Sequence, residues 1–215
     1  MSYRRSRREL FRIMTLSAAG WLVPGWVARA AALLATKPLT EGPFYPRMLP
    51  LDDDNDLTQV KGVNGVAKGI VLDLTGRVVD AEGRPLAGTQ VEIWQCNAFG
   101  RYHHPDDHSS APLDPGFQGH GKTVTDADGR YRFRTIKPVP YPGRTPHIHF
   151  RLASREAGTL TTQMFVAGEA GNERDGIFRQ MQNDRTHQPA VVALAPAEKG
   201  SGAELRGEFQ IVFPA

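Results

Sequence analysis

The segment Ile70-Val-Leu-Asp-Leu-Thr-Gly-Arg-Val78 decides the fold class of this 215-residue chain. Ile70, Leu72, Leu74 and Val78 alternate with mostly polar neighbours, and a period of two is typical of a strand that buries one face. The turn-forming run Asp80-Ala-Glu-Gly83 ends this strand. The segment therefore predicts a β-protein.

Short segments with a similar strand character continue along the chain. They cover Thr89–Gln95, Lys122–Thr125, Arg130–Arg134, His147–Leu152, Thr162–Val166 and a C-terminal run from Leu205 to Phe213. Asp128-Gly129 predicts a hairpin between the second and third of these, and Asn172–Met181 predicts one short helix. Repeated strands separated by Gly, Pro and Asp indicate an all-β, two-sheet β-sandwich. Two long connections, Asn97–Gly121 and Ile136–Pro146, are expected to carry the functional residues.

His147-Ile148-His149 is the first candidate for a functional motif. Residues two apart in a strand share one face, so both imidazoles can bind one metal ion. The next acid, Glu156, lies too far along to complete a two-histidine, one-carboxylate site. Tyr102 and Tyr141 precede the histidines instead. A phenol with a pKa of about 10 becomes a ligand at neutral pH only beside a strongly Lewis-acidic ion, which favours ferric iron over zinc.

Several segments in chain order resemble the intradiol ring-cleavage dioxygenases, in particular the protocatechuate 3,4-dioxygenase branch in a short secreted form. The resemblance runs from about Glu41 to the C-terminus and is densest between Leu74 and Phe165. The matching segments are Glu41–Pro46, Val91–Tyr102, Pro112–Phe117, Thr125–Pro138, Tyr141-Pro-Gly-Arg-Thr-Pro-His-Ile-His-Phe150 and Thr161–Phe165.

This resemblance implies a ferric, Fe(3+), site with four protein ligands. Tyr102 and His147 would be equatorial, and Tyr141 and His149 axial. Tyr141 would leave the metal and take a proton from a catechol-type diol, which O₂ then converts to a cis,cis-muconate-type diacid. Arg144 would stabilise negative charge on the substrate during the rearrangement, and Gln163 would orient Arg144 or the substrate.

Gly143 departs from the family pattern. It stands where a bulkier residue is expected to wall the pocket, so an open pocket mouth is expected. The resemblance therefore supports catechol-type chemistry without identifying protocatechuate as the substrate. A homo-oligomer and a hetero-oligomer with a second, related subunit are both open alternatives.

Residues 1–30 predict a twin-arginine export signal. Ser6-Arg7-Arg8-Glu9-Leu10-Phe11-Arg12 precedes a modestly apolar stretch, and Ala28-Arg29-Ala30 fits a cleavage site. The apolar stretch of about 15 residues is shorter than the roughly 20 that span a bilayer. We expect a periplasmic or secreted protein with no stable membrane insertion after cleavage. An extended arm, 31–64, would then lead into the sandwich domain, 65–215.

Charge argues against a nucleic-acid partner. The chain has 26 basic and 23 acidic residues, but residues 1–30 hold six arginines and a single acid. Without that segment 20 basic residues face 22 acidic ones, so the domain has no basic surplus for binding phosphates. The single cysteine, Cys96, excludes an internal disulfide and is expected to be a small buried hydrophobe.

Two other interpretations of the pattern remain. Gly76–Gly88 and Thr125–Phe133 also resemble transthyretin-like adhesive sandwiches, which have no metal, and the same four ligands would suit a catechol- or siderophore-binding protein. Tyr131 and Tyr45 are expected to be core or edge residues, with pocket lining as the second option for Tyr45. His103, His104, His108 and His120 are expected to be solvated rather than to form a second metal site.

Overall fold

The computed structural model describes residues 32–47 and 52–214. Ten strands and one short helix make up its regular structure. The strands are β1 (Val71–Val79), β2 (Gln90–Trp94), β3 (His120–Val124), β4 (Arg130–Ile136), β5 (His147–Ser154), β6 (Gly158–Val166), β7 (Val191–Val192), β8 (Ala195–Pro196), β9 (Leu205–Glu208) and β10 (Ile211–Val212). The twin-arginine segment lies outside the described residues. Within them, no helix is both long and apolar enough to cross a membrane.

The first sheet is built around β1. β4 pairs antiparallel with β1 on one side, while β9 and β10 pair parallel with it on the other, and β8 adds to β9. The alternation that predicted β1 places Leu72, Leu74 and Val78 in the core, each fully buried. The prediction of this strand is confirmed except at its start, because Ile70 precedes β1 and is 47% exposed.

The second sheet has the strand order β3-β2-β5-β6-β7. One of its faces carries the apolar side chains of Ile93, Ile148 and Phe150, which join Leu72 and Phe133 of the first sheet in one hydrophobic core. Burial of these side chains from both sheets is the main favourable contribution to folding. The expected all-β, two-sheet sandwich is confirmed for the described residues.

The predicted hairpin at Asp128-Gly129 is wrong. β3 pairs with β2 in the second sheet, whereas β4 pairs with β1 in the first. The Asp126–Arg130 turn therefore carries the chain from one sheet to the other. Gly129 has a φ of 74°, and a Cβ there would lie 2.5 Å from the Val78 carbonyl oxygen, so the turn requires glycine although it closes no hairpin.

The predicted helix Asn172–Met181 is interrupted by one residue. A 3-10 turn, Asn172–Arg174, is followed by α1, Gly176–Gln182, and Asp175 caps α1 by accepting from the Ile177 and Phe178 amides. The extended backbone of the cap residue, with a ψ of 119°, ends the first turn before α1 begins.

Residues 32–47 first run beside the first sheet, where Leu33 and Thr36 donate to the Ala81 and Val212 carbonyls, and residues 40–45 then cross the outer face of the second sheet, opposite the core. The Leu39 amide donates to the Thr161 carbonyl (2.9 Å), and the Thr162 hydroxyl donates to the Lys37 carbonyl (2.8 Å). Lys37 also forms an ion pair with Asp184. These contacts bring residues 40–45 over the centre of the sheet.

Candidate metal and active site

One row of buried side chains crosses the outer face of the second sheet. The register pairs His120 with Trp94, Trp94 with His149, and His149 with Gln163. Directly opposed residues point to the same face, and the neighbours Ile93 and Ile148 point into the core on the other face. The sheet therefore presents these four side chains together under the 32–47 segment.

His147 and His149 lie side by side on β5, as their spacing predicted. Their Nε2 atoms are 3.2 Å apart. Two nitrogens bound about 2.1 Å from one ion at a right angle would be about 3 Å apart, so the separation fits shared coordination. The Nδ1 of His147 donates to the Thr145 carbonyl (2.7 Å), which leaves the Nε2 lone pair free to bind a metal.

His149 is held by one contact on the face of its ring and another at its edge. The Trp94 indole stacks on it with a centroid distance of 4.8 Å and an interplanar angle of 10°. Gly42 packs against the ring edge with a φ of 73°, and a Cβ there would lie 3.2 Å from His149 Cε1. Trp94 and Gly42 thus fix the orientation of this imidazole, and neither was identified as a site residue from the sequence.

Tyr102 and Tyr141 approach the histidines from two loops. Their rings meet edge to face at 5.6 Å, and each also contacts an imidazole: Tyr141 with His147 at 5.5 Å, Tyr102 with His149 at 6.3 Å. The Tyr102 amide donates to Asp107 Oδ2 (2.7 Å), which fixes the first loop. A tight turn with paired backbone hydrogen bonds between residues 141 and 144 fixes the second.

The protonation states of these four side chains are set mainly by burial. Burial lowers the pKa of His147 to about 4, with a further contribution from Arg144, and lowers that of His149 well below its ordinary value. Both imidazoles are therefore neutral near pH 7. Burial also raises the pKa of Tyr102 well above 10 and that of Tyr141 above 10, partly opposed by Arg144. Without a bound metal ion, both phenols therefore stay protonated near pH 7.

The donor set fits a strongly Lewis-acidic ion. The Tyr102 hydroxyl and His149 Nδ1 are buried and have no hydrogen-bond partner among the described residues. Residues 32–47 and 52–214 contain no group of three or more His, Cys, Asp or Glu placed to hold a metal ion, so tyrosine must complete any site at His147 and His149. Only an ion that stabilises phenolate would turn these buried phenols into ligands.

Arg144 and Gln163 lie beside this cluster and contact each other. Arg144 donates from Nη2 to Gln163 Oε1 (2.5 Å) and from Nη1 to the Tyr141 hydroxyl (3.4 Å). Gln163 in turn donates to the Thr40 carbonyl (2.8 Å). The structure thus brings together all six residues selected from the sequence: Tyr102, Tyr141, Arg144, His147, His149 and Gln163.

Asp175 is a residue of this site that sequence reasoning missed. Its carboxylate is 1% exposed and accepts from Arg144 Nε (2.9 Å) and the Thr145 amide (3.0 Å). Hydrogen bonds from these groups and from the Phe178 amide outweigh burial and lower its pKa. Asp before an apolar run is a helix N-cap signal, but its approach to Arg144 depends on the fold.

The two other tyrosines of the described residues, Tyr45 and Tyr131, and Cys96 have structural roles. Tyr131 is buried and donates to the Phe209 carbonyl (2.6 Å). Tyr45 was expected at a core or edge position but lies half-buried over the outer face of the second sheet, where it packs edge-on against Trp94 and donates to Glu92 (2.7 Å). Cys96 is 2% exposed, and burial raises the pKa of its thiol to about 12.

The three histidines of the loop after β2 and His120 of β3 differ in how deeply they are buried. His103 and His108 are exposed. His104 is buried, and its ring lies 3.2 Å from the Tyr45 carbonyl. His120, also buried, lies 3.5 Å from Glu92 Oε2. The expectation of a solvated loop is therefore wrong for His104 and His120.

Fold and site together define a class: β-sandwich proteins with two imidazoles and two phenols gathered on the outer face of one sheet. A family model described as "Dioxygenase" matches residues 40–213. The protocatechuate 3,4-dioxygenase beta chain of Burkholderia cepacia is 48% identical over 169 residues, which cover 74% of this chain and 71% of that protein. The chain belongs to the intradiol ring-cleavage dioxygenase family.

Other relatives agree with this assignment. A catechol 1,2-dioxygenase of Candida albicans is 31% identical over 155 residues, covering 64% of this chain and 49% of that protein. The dioxygenase domain of a carbohydrate-binding fusion from Streptomyces sp. SirexAA-E superposes with a TM-score of 0.64 at 28% identity, covering 84% of this chain and 99% of that domain. These relatives favour a ring-cleaving enzyme over an adhesive sandwich or a catechol-binding protein.

Proposed function

We propose that this chain is a ferric-iron intradiol dioxygenase that inserts both atoms of O₂ into a catechol-type diol to give a cis,cis-muconate-type diacid. One observation carries the proposal: two neutral imidazoles and two phenols converge under the 32–47 segment, with the imidazole Nε2 atoms 3.2 Å apart and the Tyr102 hydroxyl without a partner in the described chain. Tyr102, Tyr141, His147 and His149 would hold the ion. Bound there, ferric iron supplies a Lewis acid that chelates a catechol dianion and withdraws electron density from its ring.

Tyr141 is the proton acceptor in this proposal. Its ring is half-buried whereas Tyr102 is 3% exposed, so Tyr141 has the freer path to an incoming diol. As a phenolate it takes one diol proton and is then a neutral phenol, whose hydroxyl Arg144 can still contact. Tyr102 stays in place because Phe44 packs on its ring at 4.7 Å.

Arg144 is the residue that would stabilise negative charge on the substrate. Asp175 holds its Nε and Gln163 holds Nη2, so the third nitrogen, Nη1, faces Tyr141 and the substrate. A guanidinium fixed before the reaction stabilises developing charge without reorganisation. Trp94 and Phe44 restrict water around the cluster, which strengthens that interaction.

A cavity next to Tyr141 and Arg144 bears on the substrate class, although Tyr102, His147 and His149 are not part of its lining. This cavity has a volume of about 400 Å³ and is lined in part by Gly143, Thr145 and Arg174. Gly143 has a φ of 81°, and a Cβ there would meet no atom within 4 Å. The mouth is therefore open at this point, which supports single-ring diols with varied substituents. The named relatives act on protocatechuate, catechol and hydroxyquinol, and these three diols are the ones to compare.

The visible spectrum tests the proposal. Purified protein is expected to contain iron and to show a tyrosinate-to-iron absorption that shifts to the red with a diol under nitrogen. Admitting air should restore the spectrum with formation of a muconate-type acid. Tyr102→Phe should lose the colour, whereas Tyr131→Phe, a matched buried tyrosine outside the site, should keep it. Protein that stays colourless after ferric loading would overturn the four-ligand site.

We also propose export through the twin-arginine route. The support is the motif Ser6–Arg12 with the small-residue pattern Ala28-Arg29-Ala30. Arg7→Lys together with Arg8→Lys should retain the protein in the cytoplasm of an expressing bacterium. Equal amounts of this variant and of wild type in the periplasm or medium would contradict this route.

A further inference from the structure

Thr145, two residues before His147, has a hydrogen-bond partner for each of its polar groups. Its amide donates to Asp175 Oδ2 (3.0 Å), its hydroxyl donates to Asn172 Oδ1 (2.7 Å), and its carbonyl accepts from His147 Nδ1 (2.7 Å). The residue is 1% exposed. The amide and hydroxyl contacts therefore fix the residue whose carbonyl holds the His147 ring.

Asn172 connects Thr145 to the second sheet. Its buried side chain uses both ends of the amide: Oδ1 accepts from Thr145, and Nδ2 donates to the Val166 carbonyl (3.0 Å) at the end of β6. β6 is the neighbour of β5 and pairs Phe165 with His147. The Thr145 hydroxyl is thus anchored to the strand beside the one that carries both histidines.

Gly171 packs directly against Thr145. A Cβ at Gly171 would lie 3.0 Å from Thr145 Oγ1 and 3.3 Å from Thr145 Cβ. The backbone of Gly171 has a φ of −79° and a ψ of −18°, a helical conformation that any residue adopts. The close approach to Thr145, rather than the backbone conformation, therefore accounts for glycine at this position.

This arrangement bears on the imidazole of His147. When one ring nitrogen donates to a fixed acceptor, the tautomer and the orientation of the ring are set, and the other nitrogen becomes a better metal ligand. The side chains of Thr145 and Asn172 already have partners within the protein. They can therefore act on a bound ion only through His147.

We infer that Thr145 and Asn172 are positioning residues that hold His147 as the Nδ1–H tautomer, with Nε2 directed at the proposed metal. The inference rests on the proposed function, because only there is His147 a ligand. Asp175, the partner of the Thr145 amide, also accepts from Arg144 Nε (2.9 Å). Thr145 thus joins the support of the histidine to the support of the arginine.

The tautomer of His147 tests the inference in the metal-free full chain. Long-range proton–nitrogen correlation spectra of protein labelled at histidine distinguish a protonated Nδ1 from a protonated Nε2, and wild type should show Nδ1–H alone. Thr145→Val should show both tautomers because it leaves Asn172 Oδ1 without its donor and frees the Thr145 carbonyl to move. Thr145→Ser keeps the hydroxyl and should match wild type.

Thr135→Val is the matched control for the loss of a buried hydroxyl. Thr135 is fully buried on β4, and its hydroxyl also donates to a side-chain amide oxygen, that of Gln95 (3.0 Å). This variant should be less stable than wild type in a thermal melt. The His147 tautomer should not change.

Iron retention is a second measurement on the same variants. Ferric-loaded Thr145→Val should lose iron to a chelator about tenfold faster than wild type, since loss of a partner that orients a ligand typically costs about 10- to 100-fold in metal affinity. Thr145→Ser and Thr135→Val should both lose iron at the wild-type rate.

Gly171→Ala tests the same support if Thr145→Val fails to fold. The new Cβ should displace Thr145 and give a mixture of His147 tautomers, whereas Gly176→Ala, whose Cβ meets no atom within 4 Å, should not. A destabilised Thr145→Val protein with one His147 tautomer and wild-type iron loss would show a purely structural role and overturn the inference. Wild-type protein that binds no iron, with the tautomer change still present in Thr145→Val, would instead overturn the proposed function and leave the control of the tautomer in place.

Discussion

At the scale of single residues, Asp175 shows how one carboxylate can set the geometry of Arg144, the arginine proposed to stabilise charge on the substrate. It caps α1 with Oδ1 and holds Arg144 with Oδ2. Asp175→Asn keeps a good capping side chain but removes the charge opposite Arg144. A hydrogen bond to a charged group contributes about 1.5–3 kcal/mol, so we expect kcat for diol cleavage to fall about 10- to 100-fold.

The expected change in KM for this variant is small, since the ligand cluster is unaltered. Steady-state kinetics with catechol measure both constants, and a thermal melt checks the fold. Glu173→Gln, an exposed change two residues away, is the control. An Asp175→Asn enzyme with unchanged kcat would show that Arg144 is positioned by Gln163 alone.

Gly42 supports a second prediction at this scale. Alanine at 42 adds a Cβ 3.2 Å from His149 Cε1 at a φ of 73°, so the imidazole must shift. Iron content after purification should fall at least severalfold. Gly62→Ala has the same backbone strain, with a φ of 78° and no atom within 4 Å of the new Cβ, and should retain iron. Equal iron in the two variants would contradict a positioning role for Gly42.

At the scale of elements, Glu92 on β2 joins the 32–47 segment to the second sheet. Its carboxylate accepts from Tyr45 (2.7 Å), and Arg151 on β5 donates to the same Tyr45 hydroxyl (2.9 Å). The nearby His120 ring, together with the Tyr45 and Gln90 donors, lowers the pKa of Glu92 from 4.5 to about 2 despite partial burial. This network is a pH-dependent link between the two elements.

The sign of that dependence follows from the lowered pKa. The stabilisation is fully present above pH 4.5 and is lost as the pH falls towards 2. With a discount for solvent screening, we expect the ionised carboxylate to contribute about 1–2 kcal/mol to the free energy of unfolding. In urea titrations, Glu92→Gln should therefore be less stable than wild type at pH 7, and the difference should fall to roughly 40% of that value at pH 3. A constant difference across this range would contradict the assignment to Glu92 ionisation.

The strands also show which structural features could be predicted from the sequence and which could not. The period-two pattern located β1 because burial of one face is a local property of that strand, whereas β2, β5 and much of β6 are buried on both faces. The hairpin prediction failed because Asp128-Gly129 specifies a turn, whereas the partners of β3 and β4 are chosen by the two sheets. Asp175 was missed for a similar reason: 31 residues separate it from Arg144, and no local pattern marks the contact.

At the scale of the whole molecule, the site depends on parts of the chain that are distant in sequence. Residues 40–45 supply Gly42 and the Thr40 carbonyl, two loops supply the tyrosines, β5 supplies the histidines, and Asp175 follows β6. The hydrophobic core lies on the other face of the same sheet, so the sandwich can remain folded while its outer face carries unpaired ligand atoms. The stability of the molecule should therefore respond to metal.

Binding to the native state alone stabilises a protein by about 2.7 kcal/mol when free ligand is 100 times Kd. For a chain of this size, 1 kcal/mol shifts Tm by roughly 2–4 °C, so ferric loading should raise Tm by about 5–10 °C and chelation should reverse the rise. His147→Ala should abolish the shift because it removes one of the four proposed ligands, whereas His187→Gln, which changes a histidine outside the cluster, should retain it. Scanning calorimetry of the three proteins with and without iron measures the effect. An equal shift in all three would mean that iron binds elsewhere, and the four-ligand site would have to be abandoned.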